Sequence, residues 1–154
     1  MSLSLQQAEA LADATLARAR ELGAAPVAVV VLDAGGHPIV VKREDRAGIL
    51  RVDIATAKAY GSLGMGMSSR EVGERAERQP AFFTSLAAVT GGRIAPAAGG
   101  VLVHSGDGEL LGAVGVSGDV SDVDEACALA AVAATGLHAV QPSSQTFPSE
   151  KGHS

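Results

Sequence analysis

A chain of 154 residues is one ordinary domain, long enough to bury roughly two thirds of the surface its unfolded form exposes, so it requires no metal or disulfide staple. Twelve basic against seventeen acidic residues give a net charge of -5; with no tryptophan and only 3% aromatic residues, the chain lacks the basic surface and stacking rings of a nucleic-acid binder. The single cysteine, Cys127, has no intramolecular disulfide partner and falls in an apolar helical run, the setting of a buried inert thiol in a reducing compartment.

Ser4 and Gln7 have the spacing of a capping box, and Leu5, Ala8, Ala12, Thr15, Ala19 and Leu22 then recur at helical spacing until Gly23. Charged residues interleave this stretch from Glu9 to Glu21, which is unlike a signal peptide. Residues 27–32 form a β-branched run and 39–41 a second, and the breaker cluster from Asp33 to Pro38 turns them into a hairpin. From Gly48 to about Leu63, Leu50, Ile54, Ala57 and Gly61 share a helical face, and Gly64 to Met67 ends that helix.

Ser68 or Ser69 caps a short polar helix, with Glu71 at capping-box spacing from Ser68, and Pro80 suits the first turn of another that stops before Gly91 and Gly92. Residues 101–103 and 110–116 predict a second hairpin across His104 to Glu109. The last helix is expected from about Asp122 to His138, with Ser121 as its N-cap. Its run from Ala126 to Ala134 is apolar nearly all round, which predicts one side against the sheet and another against a second subunit. That run falls far short of the roughly twenty residues needed to cross a bilayer, so no membrane partner and a cytoplasmic location are expected. Residues 142–154 read as a polar, flexible tail.

Two hairpins divided by helices predict an α+β fold with an antiparallel sheet, a single domain over residues 1–141. The common nucleotide-binding, zinc-protease and hydrolase motifs are absent. Gly112, Gly115 and Gly118 clear space for something to approach the backbone of the second hairpin, beside Ser117 and Asp119. Two readings stand: a ligand-binding edge, or a strand that runs into a capped helix start. A phosphate is excluded there by Asp119, Asp122, Asp124 and Glu125, which already complement the helix dipole.

The histidines His37, His104, His138 and His153 are far apart and show no zinc-ligand spacing; His37, flanked by glycines in a hairpin turn, is either an exposed polar residue or a functional one. Lys58, with Tyr60 beside it, interrupts an apolar helical face and either snorkels to solvent or pairs with an anionic ligand. Arg93 lies on a glycine-rich loop that suits a carboxylate, or is a surface arginine. Phe82 and Phe83 are core anchors or the wall of an apolar cavity near the Gly91 loop.

Four segments, taken together and in this order, resemble the GlcG/HbpS-like family of haem-binding and haem-degrading proteins. They are Asp33-Ala-Gly-Gly-His37; Lys58-Ala-Tyr60; Gly91-Gly-Arg-Ile-Ala-Pro96 with Gly99 and Gly100; and Gly112-Ala-Val-Gly-Val-Ser-Gly118 with Asp124 and Glu125. The resemblance covers about residues 4–140 and extends to the C-terminal domain of PduO-type corrinoid adenosyltransferases. It implies a three-layer, profilin-like sandwich with a central antiparallel sheet flanked by helices, assembled as a homo-oligomer. It implies haem as cofactor, His37 as the iron ligand to test first, and Lys58 or Arg93 at the propionates. Tyr60, Phe83, Gly99, Gly100, Ser117 and Asp119 complete the ligand-binding set, with the macrocycle between subunits and no catalytic residue assigned. The alternative is a small-molecule enzyme or catabolic accessory protein that holds an anionic metabolite with Lys58, Arg93 and the turn from Ser117 to Asp119.

Overall fold

In chain order the elements are α1 (Leu5–Glu21), β1 (Ala28–Asp33), β2 (Pro38–Arg43), α2 (Arg51–Met65), α3 (Ser69–Arg78), α4 (Pro80–Val89), β3 (Gly100–His104), β4 (Leu110–Ser117) and α5 (Ser121–Ala134). The computed structural model describes residues 2–139; the tail expected from residue 142, and His153 with it, lies outside the described residues.

Local chemistry sets most of these boundaries. The capping box of α1 is complete: Gln7 N–H donates to Ser4 Oγ at 3.1 Å and Ser4 N–H to Gln7 Oε1 at 2.9 Å. Ser68 caps α3 by accepting from Glu71 N–H at 3.3 Å, and Pro80 occupies the first turn of α4, where a missing N–H costs nothing. The last helix differs from expectation at both ends. Its cap is Val120, whose side chain can accept nothing, and Ser121 is already helical. It stops at Ala134 because Gly136 adopts φ +74°, with Gly136 N–H bonded to Ala133 O and Leu137 N–H to Val132 O, a Schellman closure. Residues 137–139 then turn back to the sheet, and His138 pairs with His104.

The two predicted hairpins join into one antiparallel sheet of order β2-β1-β4-β3, because β1 also pairs with β4, Val29 opposite Val116 and Asp33 opposite Gly112. Alternation along β1 sends side chains to opposite faces. Val27, Val29 and Val31 face α1 and α5, whereas Val30 and Leu32 face α2. All five are fully buried, and each contributes on the order of 1.5 kcal/mol. The molecule is therefore the expected three-layer α+β sandwich. Besides the sheet, α5 packs against α1 of the same chain, and Ala126, Ala133 and Ala134 of its apolar run stay exposed.

Candidate functional site

The helix α2 lies unusually close to the sheet, and glycines make this possible. A Cβ on Gly115 would stand 2.0 Å from Ala55 O, and one on Gly100 would stand 2.4 Å from Lys58 O. Lys58 is carried into this seam and is 3% exposed. Its Nζ donates to Val116 O at 2.9 Å and to Asp124 Oδ2 at 3.2 Å, while Asp124 Oδ1 accepts from Asp119 N–H at 3.0 Å. Burial pushes the Lys58 amine below its usual range, against the pull of the Asp124 carboxylate; nearby Arg51 adds to the lowering.

This seam engages one group of the sequence-based site candidates within the fold. Lys58 directs two of its three ammonium donors to the protein interior. A side chain at Gly99 would collide with Lys58 Nζ, so the gap at Gly99 and Gly100 is filled by α2. Ser117 is fully buried, and its Oγ accepts from Arg51 at 3.3 Å. Asp119 accepts from Ala25 N–H and Val120 N–H, both at 2.7 Å, which holds its carboxyl below the usual range. The space beside Gly112, Gly115 and Gly118 is occupied by the carbonyl oxygens of Leu32, Ala55 and Pro26, so this edge is an internal packing surface. The acids at the start of α5 do more than complement its dipole: Asp122 and Glu125 hold Arg70, and Asp124 holds Lys58.

A second group of residues converges at the opposite, exposed side of α2. In the turn after β1, Asp33 Oδ1 accepts from Gly35 N–H at 3.0 Å and His37 N–H at 2.9 Å, and the His37 bond is the main reason its carboxyl titrates below the usual range. The same oxygen lies 3.3 Å from His37 Nδ1, and the imidazole is 80% exposed. Gly36 is pressed on the Tyr60 ring: a Cβ there would stand 2.9 Å from Tyr60 Cε2. On the same ring the Arg93 guanidinium stacks with Cζ 4.0 Å from the centroid, held by an Nε–H bond to Thr90 O at 2.8 Å. His37, Gly36, Tyr60 and Arg93 thus form one connected surface.

Phe83 is 7% exposed and packs edge-on against Phe82, centroids 5.6 Å apart. Together with Ala76, Pro80, Ile94 and Pro96 it lines an apolar cleft of about 280 Å³. Ile94 follows Arg93 directly and also packs on Gly61 of α2, so cleft and stacked surface share the 93–96 loop. The cleft is smaller than pockets that enclose an extended ligand. Cys127 is fully buried and its thiol is pushed up by desolvation, as its sequence setting implied. Sequence reasoning named Asp33 only as part of a motif, although its Asx-turn position was a usable signal. It missed Asp124 as the partner of Lys58, for which no local signal exists.

An antiparallel sheet between two helical layers, with an imidazole, a ring and a guanidinium gathered on one exposed side, defines a small α+β sandwich class. The chain belongs to the family of haem-degrading HbpS-like proteins, whose model matches residues 3–133. Corrinoid adenosyltransferase PduO of Citrobacter freundii is 30% identical over 92% of this chain, which spans 41% of that protein's length. Among solved structures, a PduOC complex with haem is similar at TM-score 0.82 and 28% identity, covering 92% of this chain and 100% of the other. A Streptomyces reticuli HbpS double mutant is similar at TM-score 0.76 and 29% identity, covering 87% of each chain. Among the described residues no helix is long and apolar enough to cross a membrane.

Proposed function

We propose that this protein binds haem in the HbpS-like manner, with the macrocycle at or near a subunit interface. The observation that carries this reading is the exposed His37 imidazole, whose Nδ1 faces Asp33 and whose other nitrogen is left for a metal. A carboxylate behind a histidine fixes the orientation of its ring. Beside it, the Tyr60 ring carries the stacked Arg93 guanidinium, whose Nη groups suit a propionate. His37, Tyr60 and Arg93 would therefore hold the group, with Phe83 lining the adjoining cleft. Bound haem would supply redox and oxygen chemistry at iron, the basis for haem degradation as a further activity.

The cleft at Phe83 is too small to enclose a macrocycle, so the rest of the contact must come from outside one chain. Ile49 and Leu50, adjacent before α2, are 90% and 61% exposed, which suits a contact with a second copy of the chain. A cytoplasmic location remains part of this reading. The anionic-metabolite alternative loses Lys58, Ser117 and Asp119 to the internal seam and keeps only Arg93.

Titration of the purified protein with hemin tests the proposal. We expect a saturable Soret shift at micromolar protein, lost in His37→Ala and weakened in Arg93→Ala; no shift, or one indifferent to His37→Ala, would sink it. Bleaching of the bound Soret band by a reductant in air would add degradation, and a stable band would remove it.

A further inference from the structure

Two histidines far apart in sequence meet at the edge of the sheet. His104 ends β3, the outer strand, and His138 lies just past α5; His104 N–H donates to His138 O at 2.8 Å and His138 N–H to His104 O at 3.0 Å. Residues that exchange both bonds face each other directly, with their side chains on the same face and Cβ atoms about 5 Å apart. Leu137 and Ala139 pack into the α1/α5 core, so alternation turns His138 to the other face. Val103 also packs into that core, so the same alternation turns His104 to the face His138 takes. The His138 ring runs along the following turn, its Nε2 3.8 Å from where a Cβ on Gly106 would stand.

The two rings have unequal surroundings. His138 is exposed, whereas His104 Nδ1 is buried with no hydrogen-bond partner among the described residues. A buried imidazole nitrogen is ordinarily paired, and an unpaired one calls for a partner. Two imidazoles on one sheet edge are a donor set for a borderline divalent ion such as zinc, nickel or copper, with the remaining positions left to water.

We propose that His104 and His138 form a two-imidazole site for a divalent transition metal ion, which clamps the chain after α5 to the outer strand of the sheet. The site uses neither His37 nor Arg93 and does not depend on haem. A bound ion would supply the partner that His104 Nδ1 lacks among the described residues and would tie residues 137–139 to an edge they join through the His104–His138 bridge.

Calorimetric titration of the untagged, haem-free protein with zinc chloride tests it. One ion per chain should bind, and the thermal midpoint should rise with zinc. Because two ligands on one frame reinforce each other, His104→Ala and His138→Ala should each weaken binding by about a hundredfold and abolish the rise. His138→Gln, at an exposed position, is expected to fold like the wild type without metal and to show the same loss. In long-range imidazole NMR spectra the rings of His104 and His138 should shift on zinc addition. Zinc binding that survives both alanine variants, or that leaves these two rings unshifted, would overturn the proposal, as would a wild type that binds none.

Discussion

The seam between α2 and β4 and the corner where the first hairpin meets α2 are built from the same residue types. Each has glycines, a cation and a carboxylate, yet one is interior and the other is surface. In the seam the space beside Gly115 and Gly100 is filled by the α2 backbone, and Lys58 finds Asp124 and Val116 O. At the corner Gly36 lies on one part of the Tyr60 ring, while Arg93 and His37 remain open to solvent. A glycine gap closed by backbone makes a rigid joint, whereas one beside exposed charge leaves room for a ligand.

Substitutions in each region press on this difference, beginning with the largest effect. Gly115→Ala places a Cβ 2.0 Å from a backbone oxygen, so α2 must lift from the sheet; a loss of about 3 kcal/mol or more is expected in urea unfolding. Lys58→Ala leaves the Asp124 carboxyl without its cation at 1% exposure, which should cost about 3 kcal/mol. The double change Lys58→Met with Asp124→Leu removes both charges and should recover much of that loss. If the single and double variants are equally unstable, the pair is not what holds the seam.

At the corner, stability and binding should separate. His37→Ala, at an 80% exposed position, should move the unfolding free energy by no more than about 0.5 kcal/mol while removing the hemin signal, and Arg93→Ala should cost about 0.5–1 kcal/mol through the lost ring contact. A corner variant as unstable as Lys58→Ala would erase the distinction between the regions.

The smallest effect is in acid. Two backbone N–H bonds hold Asp119 below its ordinary value of 3.8, so the folded chain binds fewer protons there than the unfolded one. Its stabilisation is complete above that value and disappears as pH falls through the lower folded value. Asp119→Asn should flatten the acid limb of a stability–pH curve without shifting the neutral plateau.

Much of the fold was legible because its signals are local. Ser4, Gln7, Ser68, Pro80 and the breaker cluster from Asp33 to Pro38 act within a few residues of themselves, and each boundary they predict lies where the structure has it, to within a residue or two. The end of α5 was misjudged because an apolar run conceals where a helix stops; Thr135 and Gly136 decide it. At the candidate site, the sequence named His37, Tyr60 and Arg93 without their order around one ring, since ring stacking joins residues from three separate segments.

By itself the sequence determined the elements, the antiparallel pairing within each hairpin and the family, all of which depend on short-range spacing and ordered motifs. Only the tertiary structure decided which glycine gaps are closed and which polar groups are already engaged. Lys58 and Asp124 are 66 positions apart, and whether a charge serves the fold or a ligand depends on what burial brings against it.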